Sequence, residues 1–171
     1  MNTFGKLLRI SLFGESHGNG IGVTIDGIPA GLPLTVSDFT ADLDRRRSGA
    51  KGTTPRQEAD LPRFLTGVFN DHTTGAPLTI LFENTNTRSQ DYDKLREMPR
   101  PGHADFVASK KFGGFEDYRG GGHFSARLTL GLVTAGVVAK KLIEPLKVEA
   151  ILIEAGGNAD IEAAIDKAVE E

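Results

Sequence analysis

The sequence predicts an α+β fold in which helices pack on one face of an antiparallel sheet. Two observations carry this prediction. Short apolar stretches occur in pairs around turns, over residues 7–25 and 64–84, as in antiparallel strand pairs. Two longer stretches, at residues 35–47 and 125–143, are apolar on one side or throughout, as expected of helices that cover such a sheet.

The first elements follow from local patterns. Leu7–Phe13 and Ile21–Ile25 are predicted strands, joined by a glycine-rich turn. Thr35–Arg47 is a predicted helix, because Thr35 and Asp38 have the spacing of a capping box and apolar residues recur at helical intervals behind them. Thr85–Gly122 is turn-rich and lacks clear periodicity, which marks either disorder or a functional loop.

The other predicted elements close the fold. In chain order they are strands at Phe64–Phe69 and Leu78–Asn84, a buried helix at Ser125–Ile143, a strand at Val148–Ile153 and an amphipathic helix at Ile161–Val169.

Composition indicates a globular chain of 171 residues, 39% hydrophobic and 25% charged. The absence of cysteine excludes disulfides, zinc–thiolate sites, cysteine nucleophiles and iron–sulfur clusters. The 21 glycines gather around His17 and His123, which suggests backbone that approaches a ligand. No export signal is evident, and the apolar stretch Leu128–Ala139 is too short to span a membrane. We therefore expect a cytoplasmic protein without a membrane partner.

Charge is unevenly distributed. The net charge is -3, but the segment 144–171 carries eight acids and two lysines, so the first 143 residues have an excess of three basic side chains. This asymmetry indicates either a solvated acidic terminal helix or an anion site in the first 143 residues. Glu170 and Glu171 end the last predicted helix where its dipole disfavours acids. We read this as a chain truncated near residue 171.

A first histidine lies in Gly14–Gly18, which reads G-E-S-H-G. This matches the G-x-S-x-G pattern of serine hydrolases, but that pattern needs a strand-to-helix turn on a parallel sheet, and here a second strand follows. The glycines beyond it lack the spacing of a dinucleotide-binding fingerprint. What remains is His17 on a tight turn beside Glu15 and Ser16, as either a structural loop residue or a proton-transfer group.

A second histidine, His103, follows a Pro-Gly turn, with Asp105 near enough to orient its imidazole. Histidine can give or take a proton at neutral pH, although such a turn can also be purely structural. Glu15, His17, His72 and His103 lack the i,i+4 spacing of a metal-ligand pair, so no metal site is expected.

The segment Gly120–Arg127 reads G-G-G-H-F-S-A-R and precedes the predicted buried helix. Free N–H groups at a helix N-terminus favour anions, and Arg127 adds a guanidinium suited to phosphate. The pattern predicts binding of phosphate or of a phosphorylated cofactor, with a flexible helix entry as the alternative.

Basic residues gather between positions 45 and 63: Arg45, Arg46, Arg47, Lys51, Arg56 and Arg63. A nucleic-acid surface would carry interleaved aromatic residues and a positive total charge, and neither is present. The cluster fits a small polyanion better, so no nucleic-acid partner is expected.

Taken together, the motifs resemble those of the N-terminal half of the chorismate synthase family. The resemblance runs from Phe4 to about Leu142. It comprises GESHG (14–18), DGIPAGLPL (26–34), DLDRRRSG (42–49), TTPRQEAD (53–60), TTGAPL (73–78), NTNTRSQDY (84–92), RPGHAD (100–105) and DYRGGGHFSAR (117–127).

The resemblance implies a lyase of the shikimate pathway of aromatic amino acid biosynthesis. Its reaction is the 1,4-anti elimination of phosphate from 5-enolpyruvylshikimate 3-phosphate, giving chorismate. The implied cofactor is reduced FMN, with NADPH as a possible reductant. The implied fold is a β-α-β sandwich, with helices between two antiparallel sheets, assembled as a homotetramer.

The resemblance also assigns roles. His17 would protonate the departing phosphate and His103 would lie beside the flavin. Substrate or NADP would contact Arg45, Arg46 and Lys51, and the cofactor would contact His123, Phe124, Ser125 and Arg127. The family more often has GGGRSSAR, so His123 and Phe124 depart from its pattern, as does Lys51, which replaces an arginine.

We therefore expect residues 1–171 to be the N-terminal part of a chorismate synthase domain, inactive alone because much of the family's flavin site lies beyond this length. The competing hypothesis is a non-catalytic domain that binds phosphate or another small anion.

Overall fold

The computed structural model describes residues 2–48, 58–86 and 97–170. Its strands are β1 (Thr3–Phe4), β2 (Arg9–Gly14), β3 (Gly20–Asp26), β4 (Arg63–Thr66), β5 (Val68–Phe69), β6 (His72–Thr73) and β7 (Leu78–Glu83). Its α-helices are α1 (Thr40–Arg46), α2 (Asp105–Phe112), α3 (Thr129–Leu142) and α4 (Ile161–Glu170). Short 3-10 helices cover Val36–Phe39 and Ala126–Leu128, and 3-10 turns in Arg119–Phe124 are interrupted by non-helical backbone at its three glycines.

The described strands form a five-stranded antiparallel sheet in the order β1-β2-β3-β7-β4, with β5 and β6 as a separate hairpin. In β3 and β7, Val23 pairs with Ile80 and Ile21 with Phe82. Because side chains alternate along a strand, these four residues lie on one face, and all four are buried. The α+β prediction is confirmed.

Helices α1 and α3 cover this buried face. Phe39 and Leu43 enter the core from the first helical segment, and Leu130 and Val138 enter it from α3. Gly131 lets α3 approach the sheet, since a Cβ there would lie 2.7 Å from Leu12 Cδ2. The core thus places the start of α3 over β2 and β3.

The predicted strand at Val148–Ile153 is wrong: the structure has irregular, exposed backbone there. A strand needs a partner for its backbone hydrogen bonds, and none of the described strands lies beside this segment. The prediction for Thr85–Gly122 missed α2. The predicted strand Phe64–Phe69 is divided into β4 and β5, which belong to different sheets. The remaining predicted elements form within a few residues of their expected bounds.

Candidate active site

His17 lies on a tight turn directly after β2. This turn comprises Glu15–Gly18 and is called the His17 turn below. Gly18 N–H donates to the carbonyl of Glu15 at 3.1 Å, so Ser16 and His17 occupy the two middle positions of the turn. Ser16 N–H donates to the carbonyl of Gly122 at 3.0 Å. His17 is 7% exposed, which places its imidazole inside the protein rather than on a solvent loop.

The three consecutive glycines Gly120–Gly122, called the glycine run below, bring both histidines together. Gly120 and Gly121 have left-handed φ values of 61° and 79°. A Cβ on Gly120 would lie 2.2 Å from His17 Nδ1, and a Cβ on Gly121 would lie 2.6 Å from His103 Cε1. The two imidazoles therefore lie against consecutive residues, at a place that admits only glycine.

The run is not itself the start of the buried helix. Its backbone leaves helical geometry at all three glycines, and Ser125 is extended before the next turn begins. Ser125 Oγ accepts a hydrogen bond from Arg127 N–H at 3.3 Å. The prediction of three glycines opening directly onto a helix is thus replaced by a glycine cradle for imidazoles, followed by a Ser-capped helix entry.

His103 is held by an acidic partner from the first turn of α2. Its Nδ1 lies 2.6 Å from Asp105 Oδ1, while Arg100 Nε donates to Asp105 Oδ2 at 2.8 Å. The hydrogen bonds from Arg100 lower the pKa of Asp105 to about 2, against the opposing effect of burial. Asp105 is therefore a carboxylate at neutral pH and orients the ring.

A buried charge cluster lies behind the His17 turn. Asp60, whose side chain is 4% exposed, binds Arg127 Nη1 at 2.9 Å and Arg46 Nη1 at 3.4 Å. Burial lowers the pKa of Arg46, and the charge of Arg127 acts in the same direction. Within the part of the chain that the structure describes, the buried atoms Arg46 Nε and Arg127 Nη2 have no hydrogen-bond partner. The cluster carries one net positive charge and two donors available to an anion.

The other predicted anion contacts are dispersed. Arg45 donates to the carbonyl of Ala150 at 3.1 Å, away from Asp60. Arg47 pairs with Asp44 on the surface. Lys51 lies outside the described residues. The structure thus unites Arg46 with Arg127 and leaves Arg45 apart.

A cavity of about 790 Å³ lies beside the glycine run. Its aromatic lining comprises Phe13, Phe106, Phe112, Phe115, Tyr118 and Phe124. Phe124 packs against Phe112 with ring centroids 6.1 Å apart, and His123 Nε2 lies 2.8 Å from Asn2 Oδ1. His123 and Phe124 therefore form one wall of this cavity, while Ser125 points to Arg127.

The sequence did not single out three residues that build the site: Asp60, Asn84 and Arg100. Asn84 donates two hydrogen bonds to the His17 turn, and Asp60 and Arg100 hold charged partners. Asp60 and Arg100 lie in loops without periodicity, and Asn84 is the last residue of the predicted strand Leu78–Asn84, so only membership of a quoted motif signalled them.

The described residues contain neither a membrane-spanning helix nor a metal-ligand cluster. No described helix is long and apolar enough to cross a membrane. No group of three or more His, Asp or Glu side chains in residues 2–48, 58–86 and 97–170 is arranged to hold a metal ion.

Comparison with known proteins assigns the family. The family model for chorismate synthase matches residues 8–170. The chain belongs to the chorismate synthase family. A chorismate synthase from Chitinophaga pinensis is 67% identical over 170 residues, covering 99% of this chain and 51% of that protein. One from Thermococcus kodakarensis is 49% identical over 154 residues, covering 89% and 43%.

The fold agrees with this assignment. A crystal structure of a chorismate synthase matches with a TM-score of 0.54 and 30% sequence identity, covering 80% of this chain and 34% of that one. The chain thus spans about half of the length of the curated chorismate synthases that it matches, or less.

The cavity fits one part of reduced FMN, the cofactor that the family implies. Its aromatic wall suits a flat ring. Its carboxylates are Glu15, Glu97, Asp105, Glu116 and Asp117, whereas Lys110 is the single lysine or arginine among the described lining residues. Such a rim repels a phosphate. The residues present fit the ring, and the phosphate end would need cations from outside this lining.

Proposed function

We propose that this chain supplies the histidine- and arginine-bearing part of a chorismate synthase active site. The reaction is the 1,4-anti elimination of phosphate from 5-enolpyruvylshikimate 3-phosphate, giving chorismate. The observation that carries the proposal is the glycine run, which packs the His17 and His103 imidazoles against consecutive residues, Gly120 and Gly121. Two proton-handling groups next to a cationic cluster suit loss of a phosphate.

His17 is the proposed acid for the departing phosphate. It is buried on a turn held by backbone hydrogen bonds, so its imidazole meets a ligand with little water around it. Phosphate leaves more readily when a proton neutralises its developing charge, and a positioned general acid contributes about 10²–10⁴-fold to the rate. Arg46 and Arg127, which share Asp60, are the proposed cations for the substrate's negative groups.

His103 is the proposed cofactor-side histidine. Its Nδ1 faces the Asp105 carboxylate, which places the proton of a neutral ring on that nitrogen. The cavity walls at His123 and Phe124 would hold the ring of reduced FMN, with Ser125 and Arg127 at the adjoining helix entry. When bound, reduced FMN would supply transient electron density and accept the proton that the substrate loses in the elimination.

The wider assignments rest on family membership. We propose that residues 1–171 act as the N-terminal part of a cytoplasmic homotetrameric enzyme, with NADPH as the reductant of FMN and with Arg45 and Lys51 among its contacts. The chain alone is inactive in this proposal, because the curated relatives are about twice its length.

The test is a chimera in which this chain replaces the matching part of the Chitinophaga pinensis relative. Turnover of 5-enolpyruvylshikimate 3-phosphate is measured anaerobically with reduced FMN, for the chimera and for the chain alone. We expect activity in the chimera and none in the chain. His17→Ala and His103→Ala should each lower kcat of the chimera by about 10²–10⁴-fold.

His72→Ala is the matched control, because His72 lies in β6 and its Nδ1 faces the carbonyl of Asn70. It should leave kcat unchanged. Full activity in either of the other two variants refutes that histidine's role, and turnover by the chain alone refutes its incompleteness. An inactive chimera that binds inorganic phosphate would support the non-catalytic anion-binding alternative instead.

A further inference from the structure

We propose that Asn84, the residue after β7, is a positioning residue for His17. Its Nδ2 donates to the carbonyl of Glu15 at 2.9 Å and to the carbonyl of Gly18 at 2.8 Å. These carbonyls belong to the first and last residues of the His17 turn. One carboxamide therefore closes the turn from outside at both ends. The consequence for proton transfer rests on the proposed function, whereas the geometric role does not.

Hydrogen bonds from several directions hold the turn. The first is its own, from Gly18 N–H to the carbonyl of Glu15. Ser16 N–H gives a second anchor on Gly122. Asn84, which follows β7, adds a third anchor. The turn is therefore held by its own hydrogen bond, by the glycine run and by the residue after β7. A displacement of about 1 Å at a catalytic group can cost about 10²-fold in rate.

The orientation of the Asn84 carboxamide is unambiguous. Its Oδ1 accepts a hydrogen bond from Arg127 Nε at 2.6 Å. The reverse orientation would place Oδ1 against two carbonyl oxygens and Nδ2 against a guanidinium, so only one arrangement satisfies all three partners. The positive charge of Arg127 polarises the amide and strengthens both N–H donations.

Arg127 is itself fixed. Its side chain is 8% exposed, and Nη1 binds Asp60 Oδ1 at 2.9 Å. Asn84 thus joins the His17 turn to the buried cluster of Asp60, Arg127 and Arg46. Through this one side chain, the His17 imidazole is held at a fixed position relative to Arg127 and Arg46, the cations proposed for the same substrate.

The test uses the chain without substrate or flavin. Asn84→Asp keeps the size of the side chain and its acceptor for Arg127, but replaces the two N–H donors by an oxygen. Asn19→Asp is the matched control: it makes the same change in charge at an exposed residue beside the turn. Hydrogen exchange of the Ser16 and Gly18 amides and the ¹⁵N resonances of the His17 imidazole are measured by NMR.

In Asn84→Asp we expect both amides to exchange at least about tenfold faster and the His17 resonances to shift or broaden. A tenfold change corresponds to the loss of one or two ordinary hydrogen bonds. Amides in β3 and β7 should stay within about twofold of wild type, and Asn19→Asp should match wild type throughout.

Unchanged turn amides and unchanged His17 resonances in Asn84→Asp would overturn the proposal. Equal acceleration in β3 and β7 would overturn it too, because Asn84 would then serve general stability. If Asn84→Asp does not fold, Asn84→Ala, which adds no charge, is judged by the same criteria. An inactive chimera would leave this result untouched, so the two proposals fail separately.

Discussion

At the scale of single residues, the site depends on charges that are held in pairs. Asp105 faces both His103 and Arg100, and Asp60 faces two arginines. In each case a short carboxylate fixes a longer cationic or imidazole side chain. Asp117 follows the same rule, since hydrogen bonds from Arg119 lower the pKa of its carboxyl.

The lowered pKa of Asp105 makes folding stability depend on acid. A carboxyl whose pKa is lower in the folded chain stabilises fully above its ordinary value of about 3.9, and this contribution is lost as pH falls towards 2. In Arg100→Gln the pKa of Asp105 should rise towards 3.9, measured by NMR titration of the carboxyl carbon. Arg9→Gln, at an exposed arginine in β2, should leave it at about 2; an unchanged Asp105 in Arg100→Gln would contradict the pairing.

At the scale of elements, the glycine run matters because it combines two constraints. Gly120 has a left-handed φ and its missing Cβ leaves room for His17. Gly114 has a similar φ of 80°, but a Cβ there would meet nothing within 4 Å. A substitution at Gly114 therefore introduces backbone strain alone, whereas one at Gly120 introduces the same strain and a collision with the His17 ring.

Gly120→Ala and Gly114→Ala form a matched pair. Both should lower the free energy of unfolding by about 1–2 kcal/mol from left-handed strain, measured by urea denaturation. Only Gly120→Ala should also displace His17, so its loss of stability should be larger and kcat of the chimera should fall by at least about 10²-fold. Equal kcat in the two variants would show that Gly120 does not position His17.

Sequence patterns located the strands and helices whose residues have one buried face. In β3 and β7 every second side chain is buried, so alternation is visible in the sequence. Helix α2 was missed because it has only eight residues and three of its apolar residues, Phe106–Ala108, are consecutive rather than spaced at helical intervals. Val148–Ile153 has strand-forming residues, but strand formation depends on a neighbour that composition does not reveal.

The site was predictable to a similar extent. His17 and His103 stood out because histidine next to glycine turns is chemically distinctive. Their proximity was not predictable, because residues about 90 apart meet only through the path of the glycine run. The same holds for Asn84, whose partners lie more than 40 residues away in both directions.

At the scale of the whole molecule, the chain exposes a largely apolar segment, residues 146–153, after α3. Its exposed members are Leu146, Val148, Ile151, Leu152 and Ile153. Scattered apolar side chains are normal on protein surfaces, but a contiguous group usually marks a surface that contacts another polypeptide. These residues lie outside the core, so substitutions in the segment should leave the stability of the core unchanged.

The segment should bind the fluorescent probe ANS. Replacing Ile151 and Ile153 together by serine should lower ANS fluorescence at least about twofold, with the urea midpoint unchanged, because neither residue enters the core. Leu7→Ser, at an isolated exposed leucine, is the control and should change neither quantity. Undiminished fluorescence in the double variant would show that the probe binds elsewhere.

The adjacency of Gly120 and Gly121 sets a distance by covalent geometry. Consecutive Cα atoms are 3.8 Å apart, whatever surrounds them. A Cβ on either glycine would meet one imidazole, so the two rings lie against neighbouring residues of the same backbone segment. A movement of this backbone segment should therefore shift the surface behind both rings together.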